Sequence, residues 1–215
     1  MSIPESVHND PFINVKPPEG PIGPPMQDQH FLRGSTAFHK AAALLKFDEV
    51  DKLLAEGCDD VDTGDVLNQT ALVLLSRNHY DPEDVPKAVE MINKLMAAGA
   101  TLVIDGKCRR DDYGDSCLHL AAMATCKNGA AIMNCLVDHL PEGPIRAQLV
   151  SARCKNFGNT AIHWCTLSDC VEACEHLIKA GARLDRKNRL KETVLDYAIK
   201  YERIKLKVKY EALLK

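Results

Sequence analysis

Residues 158–184, GNTAIHWCTLSDCVEACEHLIKAGARL, decide how this chain folds. They read as a glycine turn, a Thr-x-x-His start, a short helix, a polar break, a second helix and a closing Ala-Gly-Ala. The Thr160 hydroxyl can cap the first helix, because an N-cap oxygen accepts one of the backbone N–H groups that a helix start leaves unpaired. Gly158 allows a tight turn that a side chain would oppose. Val171, Cys174, Leu177 and Ile178 recur at helical spacing and mark one buried face of the second helix. Gly181 then ends it. The segment is thus one helix–turn–helix unit.

That unit recurs. Aligned on the capping Thr or Ser, the chain shows five turns, at Thr36, Thr70, Ser116, Thr160 and Thr193, spaced 34, 46, 44 and 33 residues apart. Apolar stripes follow at Phe47, Val50, Leu53 and Leu54, at Val89, Ile92, Leu95 and Met96, and at Met133, Leu136 and Val137. The longer spacings carry insertions: residues 79–86 between two helices, 125–129 within the third unit, and 141–151 linking the third to the fourth. An insertion in a stack of repeats is expected to protrude as a loop.

The segments Thr36-Ala37-Phe38-His39, Ser116-Cys117-Leu118-His119 and Thr160-Ala161-Ile162-His163 resemble the Thr-Pro-Leu-His hallmark of the ankyrin-repeat family, whose period is 33 residues. The second and fifth units depart, with Val73 and Asp196 where His would stand, and no unit keeps the Pro. The resemblance covers roughly residues 34–200. It implies an all-α solenoid of four repeats plus a partial C-terminal capping repeat. The expected organisation is a Pro-rich extended arm over residues 1–33, the repeat domain over 34–200, and a basic capping helix over 201–215. Seven prolines from Pro4 to Pro25 exclude a helix in the arm, which either stays extended or straps the first repeat through Phe12, Ile13 and Val15. The capping segment, helical from Asp196 on, is expected to turn a polar face outward.

Composition sets the bounds. The 215 residues are 46% apolar, enough for a core. No apolar run approaches a membrane span, and the N-terminus lacks a secretory pattern, so a monomer of the cytoplasm, with the nucleus as alternative, is expected. Nine cysteines, an odd number in helical patterns, read as reduced thiols, and the resemblance implies core positions for Cys135, Cys165 and Cys174. Cys108, Cys117, Cys126 and Cys135 fall nine residues apart, a regularity with no physical account.

Candidate chemistry is sparse. The resemblance gives His39, His119 and His163 a structural role, bonding neighbouring turns. His163, Cys165, Cys170, Cys174 and His176 are the nearest thing to a metal cluster, but they lack paired ligands converging from two segments. Neither a phosphate loop nor a nucleophile elbow occurs. The expectation is no enzyme, no metal and no cofactor.

The resemblance implies protein binding through turn tips and a concave helix face. The tip position is held by Arg33, Leu67, Tyr113, Phe157 and Leu190, with Arg109 and Arg110 in the same segment as Tyr113. Arg77, Met123 and Leu167 take the concave position. Each apolar tip side chain either points outward or folds onto the next turn. The expected role is a non-catalytic interaction module, a scaffold, adaptor or stoichiometric inhibitor or regulatory subunit. Its partner is a protein of mixed charge with an apolar strip. The stretch from Lys179 to Lys215 carries +7 against −10 for the rest, so nucleic-acid or anionic-lipid binding by this segment is the alternative.

Overall fold

The computed structural model describes residues 33–57 and 60–215. The expected arm, Arg33 apart, lies outside the described residues, as do residues 58 and 59.

Five helix pairs follow in order. They are α1 (Ala37–Ala43) with α2 (Phe47–Ala55), α3 (Ala71–Arg77) with α4 (Val85–Ala97), α5 (Cys117–Asn128) with α6 (Ala131–Asp138), α8 (Ala161–Leu167) with α9 (Val171–Lys179), and α10 (Val194–Lys200) with α11 (Ile204–Leu213). A further helix, α7 (Pro144–Val150), lies between the third and fourth pairs. The first helices α1, α3, α5, α8 and α10 pack in one row, and α4, α6 and α9 in a second. The core lies between the rows and between successive pairs.

Each first helix starts the same way. Thr36, Ser116, Thr160 and Thr193 each close a capping box with the residue three positions on, and Thr70 caps without one. The residue two before each cap has a left-handed backbone: Gly34 (φ 84°), Asn68 (56°), Gly114 (82°), Gly158 (68°) and Lys191 (67°). The turn geometry therefore repeats five times even where glycine does not. Gly57, Gly99 and Gly181 stand one residue past a helix C-cap with positive φ, as a helix end of this type requires.

Four features depart from the sequence expectations. Residues 141–151 do not protrude as a loop: Gly143 and Pro144 start α7, and Leu149 and Val150 bury themselves. An apolar insertion gains more by packing than by solvation. α7 packs against the end of the fourth pair, so that a Cβ on Gly181 would lie 2.8 Å from that of Ala147. Second, Val103–Ile104 and Lys107–Cys108 form a two-stranded antiparallel hairpin. Its turn residues Asp105 and Gly106 both have positive φ, the condition that makes Asp-Gly a hairpin signal.

Third, the basic C-terminal segment is not one helix from Asp196 on. It breaks at Tyr201–Arg203, where Glu202 (φ 58°) matches Leu45 (56°) and Asp169 (55°) in the corresponding turns. α11 is thus the second helix of a fifth pair. The outward face of this pair is partly apolar rather than polar. Ala42, Ser76, Ala122 and Thr166 are fully buried by the next pair, whereas the equivalent Ile199 is 52% exposed beside exposed Ile204 and Val208. Fourth, Cys135 is half-buried rather than core, its Sγ 3.5 Å from Asn93 Oδ1. Cys165 and Cys174 are fully buried.

Candidate functional site

The turn tips are built from the caps outward. In the first, third and fourth pairs the histidine three residues after the cap accepts at Nδ1 from the cap N–H, at 3.1 Å (Thr36–His39), 3.3 Å (Ser116–His119) and 3.2 Å (Thr160–His163). The other ring nitrogen faces a carbonyl of a later turn: Gln69 O (2.8 Å) for His39, Ala152 O (3.0 Å) for His119 and Glu192 O (3.3 Å) for His163. A carbonyl only accepts, so Nε2 carries the proton and the ring is neutral. Burial pushes His119 and His163 down to about 4, and the Arg110 guanidinium adds to the effect at His119. These histidines cap one helix and bridge to the next tip.

Backbone bonds then tie the tips into a continuous edge. Val66 N–H donates to Arg33 O (3.2 Å), Asp112 to Leu67 O (3.0 Å), Lys155 to Gly114 O (3.3 Å) and Arg189 to Phe157 O (2.9 Å). Arginines reinforce it, as Arg110 Nη2 donates to Arg153 O (2.9 Å) and Arg153 Nη1 to Lys187 O (3.2 Å). Below the last two tips Asn159, Asn188 and Tyr197 form a buried network, with Asn188 Nδ2 donating to Asn159 Oδ1 at 3.1 Å and Tyr197 Oη to the same oxygen at 3.2 Å.

The tip residues differ in how they stand. Tyr113 is 52% and Leu190 60% exposed, Arg33 is exposed and Leu67 is half-buried. Phe157, 37% exposed, folds down edge-on to Trp164, ring centroids 5.7 Å apart at 87°. Arg109 is committed within the chain: it pairs with the Asp62 carboxylate and donates to Asp62 O at 2.7 Å. Arg110 also donates to Gly114 O. On the first-helix row, Arg77 is exposed and donates to Gln69 Oε1 (3.0 Å), while Met123 and Leu167 are half-buried. Sequence reasoning missed exposed Val66 and Ile104. It also missed Arg153 and Lys155; aligning the residues on either side of each turn was the signal that would have found them.

Beside Tyr113, burial and the Asp111 carboxylate raise Asp115 to about 6, against the pull of Arg110. Burial also lifts the thiols of Cys117, to about 12, and Cys135, to about 11. They stay protonated near neutrality and are poor nucleophiles. A partly open cavity of about 190 Å³ lies between the hairpin and α7, lined by Lys107, Cys108, Arg110 and Gln148 among others. It falls short of the ~300 Å³ at which small-molecule sites begin.

Of the residues nearest to a metal cluster, His163 is used by its turn, and His176 Nε2 bonds Asp138 Oδ1 of α6 at 2.7 Å. Among the described residues no group of three or more His, Cys, Asp or Glu could hold a metal ion, and no helix is long and apolar enough to cross a membrane.

A stack of capped helix pairs joined tip to tip defines a repeat protein. The family profile for ankyrin repeats, in three copies, matches residues 87–188. Residues 87–188 are thus ankyrin repeats. A search of curated proteins found no match. Ankyrin repeats are general protein–protein interaction modules and are typically non-catalytic.

Proposed function

We propose that the chain is a non-catalytic interaction module, an adaptor or a stoichiometric inhibitor or regulatory subunit, that binds a partner protein along its turn tips and first-helix row. The observation that carries this reading is the tip edge itself. Its backbone is fixed by bonds from one turn to the next, while Val66, Tyr113 and Leu190 stand exposed along it. A single exposed apolar residue means little, but a row on a rigid edge marks a contact surface. Aromatic anchors dominate such contacts, which singles out Tyr113 and Phe157. Leu67, Arg77, Met123 and Leu167 complete the surface, with Arg109 and Arg110 holding it in place. The protein acts as a monomer in the cytoplasm or nucleus.

The alternative, nucleic-acid or lipid binding by the basic C-terminal segment, has less to work with. Lys209 pairs with Glu175, Lys200 with Glu192 (3.0 Å) and Lys207 with Glu211 (3.9 Å), and Arg203 donates to Leu167 O at 2.7 Å.

The test is the double substitution Tyr113→Ala/Phe157→Ala. Partner capture from native lysate, read by mass spectrometry, is compared with the melting curve. Lost capture of a specific protein with an unchanged melt supports the tip edge. Retained capture moves the surface to Arg77, Met123 and Leu167.

A further inference from the structure

The tip edge changes sign along its length. Beside each tip residue stands the residue of the following turn that bonds to that tip. Beside Arg33 it is Val66, beside Leu67 Asp112, beside Gly114 Lys155 and beside Phe157 Arg189. Asp111 and Asp115 add to the acidic part. From the fourth tip on, Arg153, Lys155, Arg186, Lys187, Arg189 and Lys191 gather on the edge. Arg183, in the same stretch, is already paired with Asp185 at 2.5 Å. Two of the cations pack on the turn glycines. The Lys155 side chain lies across Gly114, where an added Cβ would meet its Cβ at 2.2 Å, and Arg189 Cγ lies 3.1 Å from the corresponding point on Gly158. Arg186 keeps a buried Nε with no acceptor among the described residues.

We propose that the tips of the third to fifth pairs form a docking strip for an extended acidic segment of a partner protein, with Lys155 and Arg189 facing its carboxylates and Tyr113, Phe157 and Leu190 its apolar side chains. The proposal rests on the interaction reading above and names the class of partner it takes. Packed helices sit roughly 10 Å apart, which sets the spacing of successive tips. An extended chain in the polyproline II form rises about 3.1 Å per residue with about three residues per turn, so side chains on one face recur every third position, with acids between them. A nucleic-acid backbone fits less well, because it has no apolar side chain to set against exposed Leu190. Opposed charges across the strip set the direction and register of the segment.

The experiment uses the full chain and a fluorescent peptide of repeated Leu-Glu-Asp, followed by anisotropy. Binding is expected, weakening as salt rises from about 0.01 to about 0.15 M. Lys155→Glu/Arg189→Glu should lower affinity about ten-fold or more, and Arg33→Glu at the far end should leave it unchanged. The Lys155 stem packs on Gly114, so Lys187→Glu/Lys191→Glu, free of that packing, gives a second charge reversal with the same expected direction. No binding of the peptide, or binding indifferent to both reversals, overturns the proposal. So does equal binding of repeated Ala-Glu-Asp, which removes the apolar contact, or tighter binding of oligothymidylate through the same residues. If the reversals spare the native partner while Tyr113→Ala/Phe157→Ala still loses it, the interaction reading stands and the acidic strip alone falls.

Discussion

The second and fourth helix pairs reach one geometry by different chemistry. In the fourth, Gly158 makes the turn, His163 caps α8 and bridges to Glu192 O, and a short turn at Ser168–Cys170 leads into α9. In the second, Asn68 makes the turn and Val73 replaces the histidine, so Thr70 caps alone and no ring reaches the next tip. A long loop separates α3 from α4, and the third pair holds it. Asn128, at the end of the lengthened α5, accepts from Tyr80 N–H (3.0 Å) and donates to Asn78 O (2.8 Å). The fourth pair is specified locally, while the second leans on its neighbour.

The largest expected effect follows from the histidines. An unfolded His titrates near 6.5 and buried His119 and His163 near 4, so between these values the unfolded chain binds more protons. Stability is full above about pH 7 and falls as pH drops through that window. Asp115 acts in the opposite sense: raised to about 6, it favours the folded chain as pH falls. Being half-exposed, it offsets only part of the loss. A net loss of roughly 2–4 kcal/mol between pH 7 and 4.5 is expected in urea titrations. His163→Ala should cost about 3 kcal/mol at neutral pH, because it strands buried polar groups. It should also flatten the pH slope by up to about 1.4 kcal/mol per unit. Val73→Ala should cost roughly 1–2 kcal/mol and leave the slope alone. Equal slopes in the two variants would end the distinction between the pairs.

A smaller effect tests the borrowed anchor. Asn128→Ala removes both bonds to the second-pair loop and should cost about 2 kcal/mol. Hydrogen-exchange protection should fall at residues 78–80 and persist at 168–170. Loss spread evenly over both turns would show that the loop does not depend on its neighbour.

The smallest concerns the turns. Gly158→Asn should cost about 1–2 kcal/mol, since a Cβ there meets Arg189 N and Cγ at 3.1 Å. The reverse change, Asn68→Gly, should stay within about 0.5 kcal/mol. It relieves a left-handed backbone and gives up only the exposed bond from Asn68 Nδ2 to Arg110 O (2.9 Å). A melt that drops by several degrees for Asn68→Gly would make that side chain, not the backbone, the reason for the residue.

The sequence by itself determined the helix pairs, their caps and the five turns, because these rest on residues a few positions apart: a hydroxyl, an imidazole three later, a stripe at helical spacing. It also placed Tyr113 and Leu190 on the edge, since every turn has the same phase. Asp105-Gly106 carried a hairpin signal that was legible and went unread. Only the tertiary structure decided where the insertions went. α7 folds onto Gly181, and the loop at Asn78–Tyr80 hangs from Asn128, 48 to 50 residues further on. It also decided how the side chains along the edge stand. Phe157 lies on Trp164, Arg109 on Asp62 and Lys155 across Gly114, because contacts between repeats join residues that local spacing does not relate.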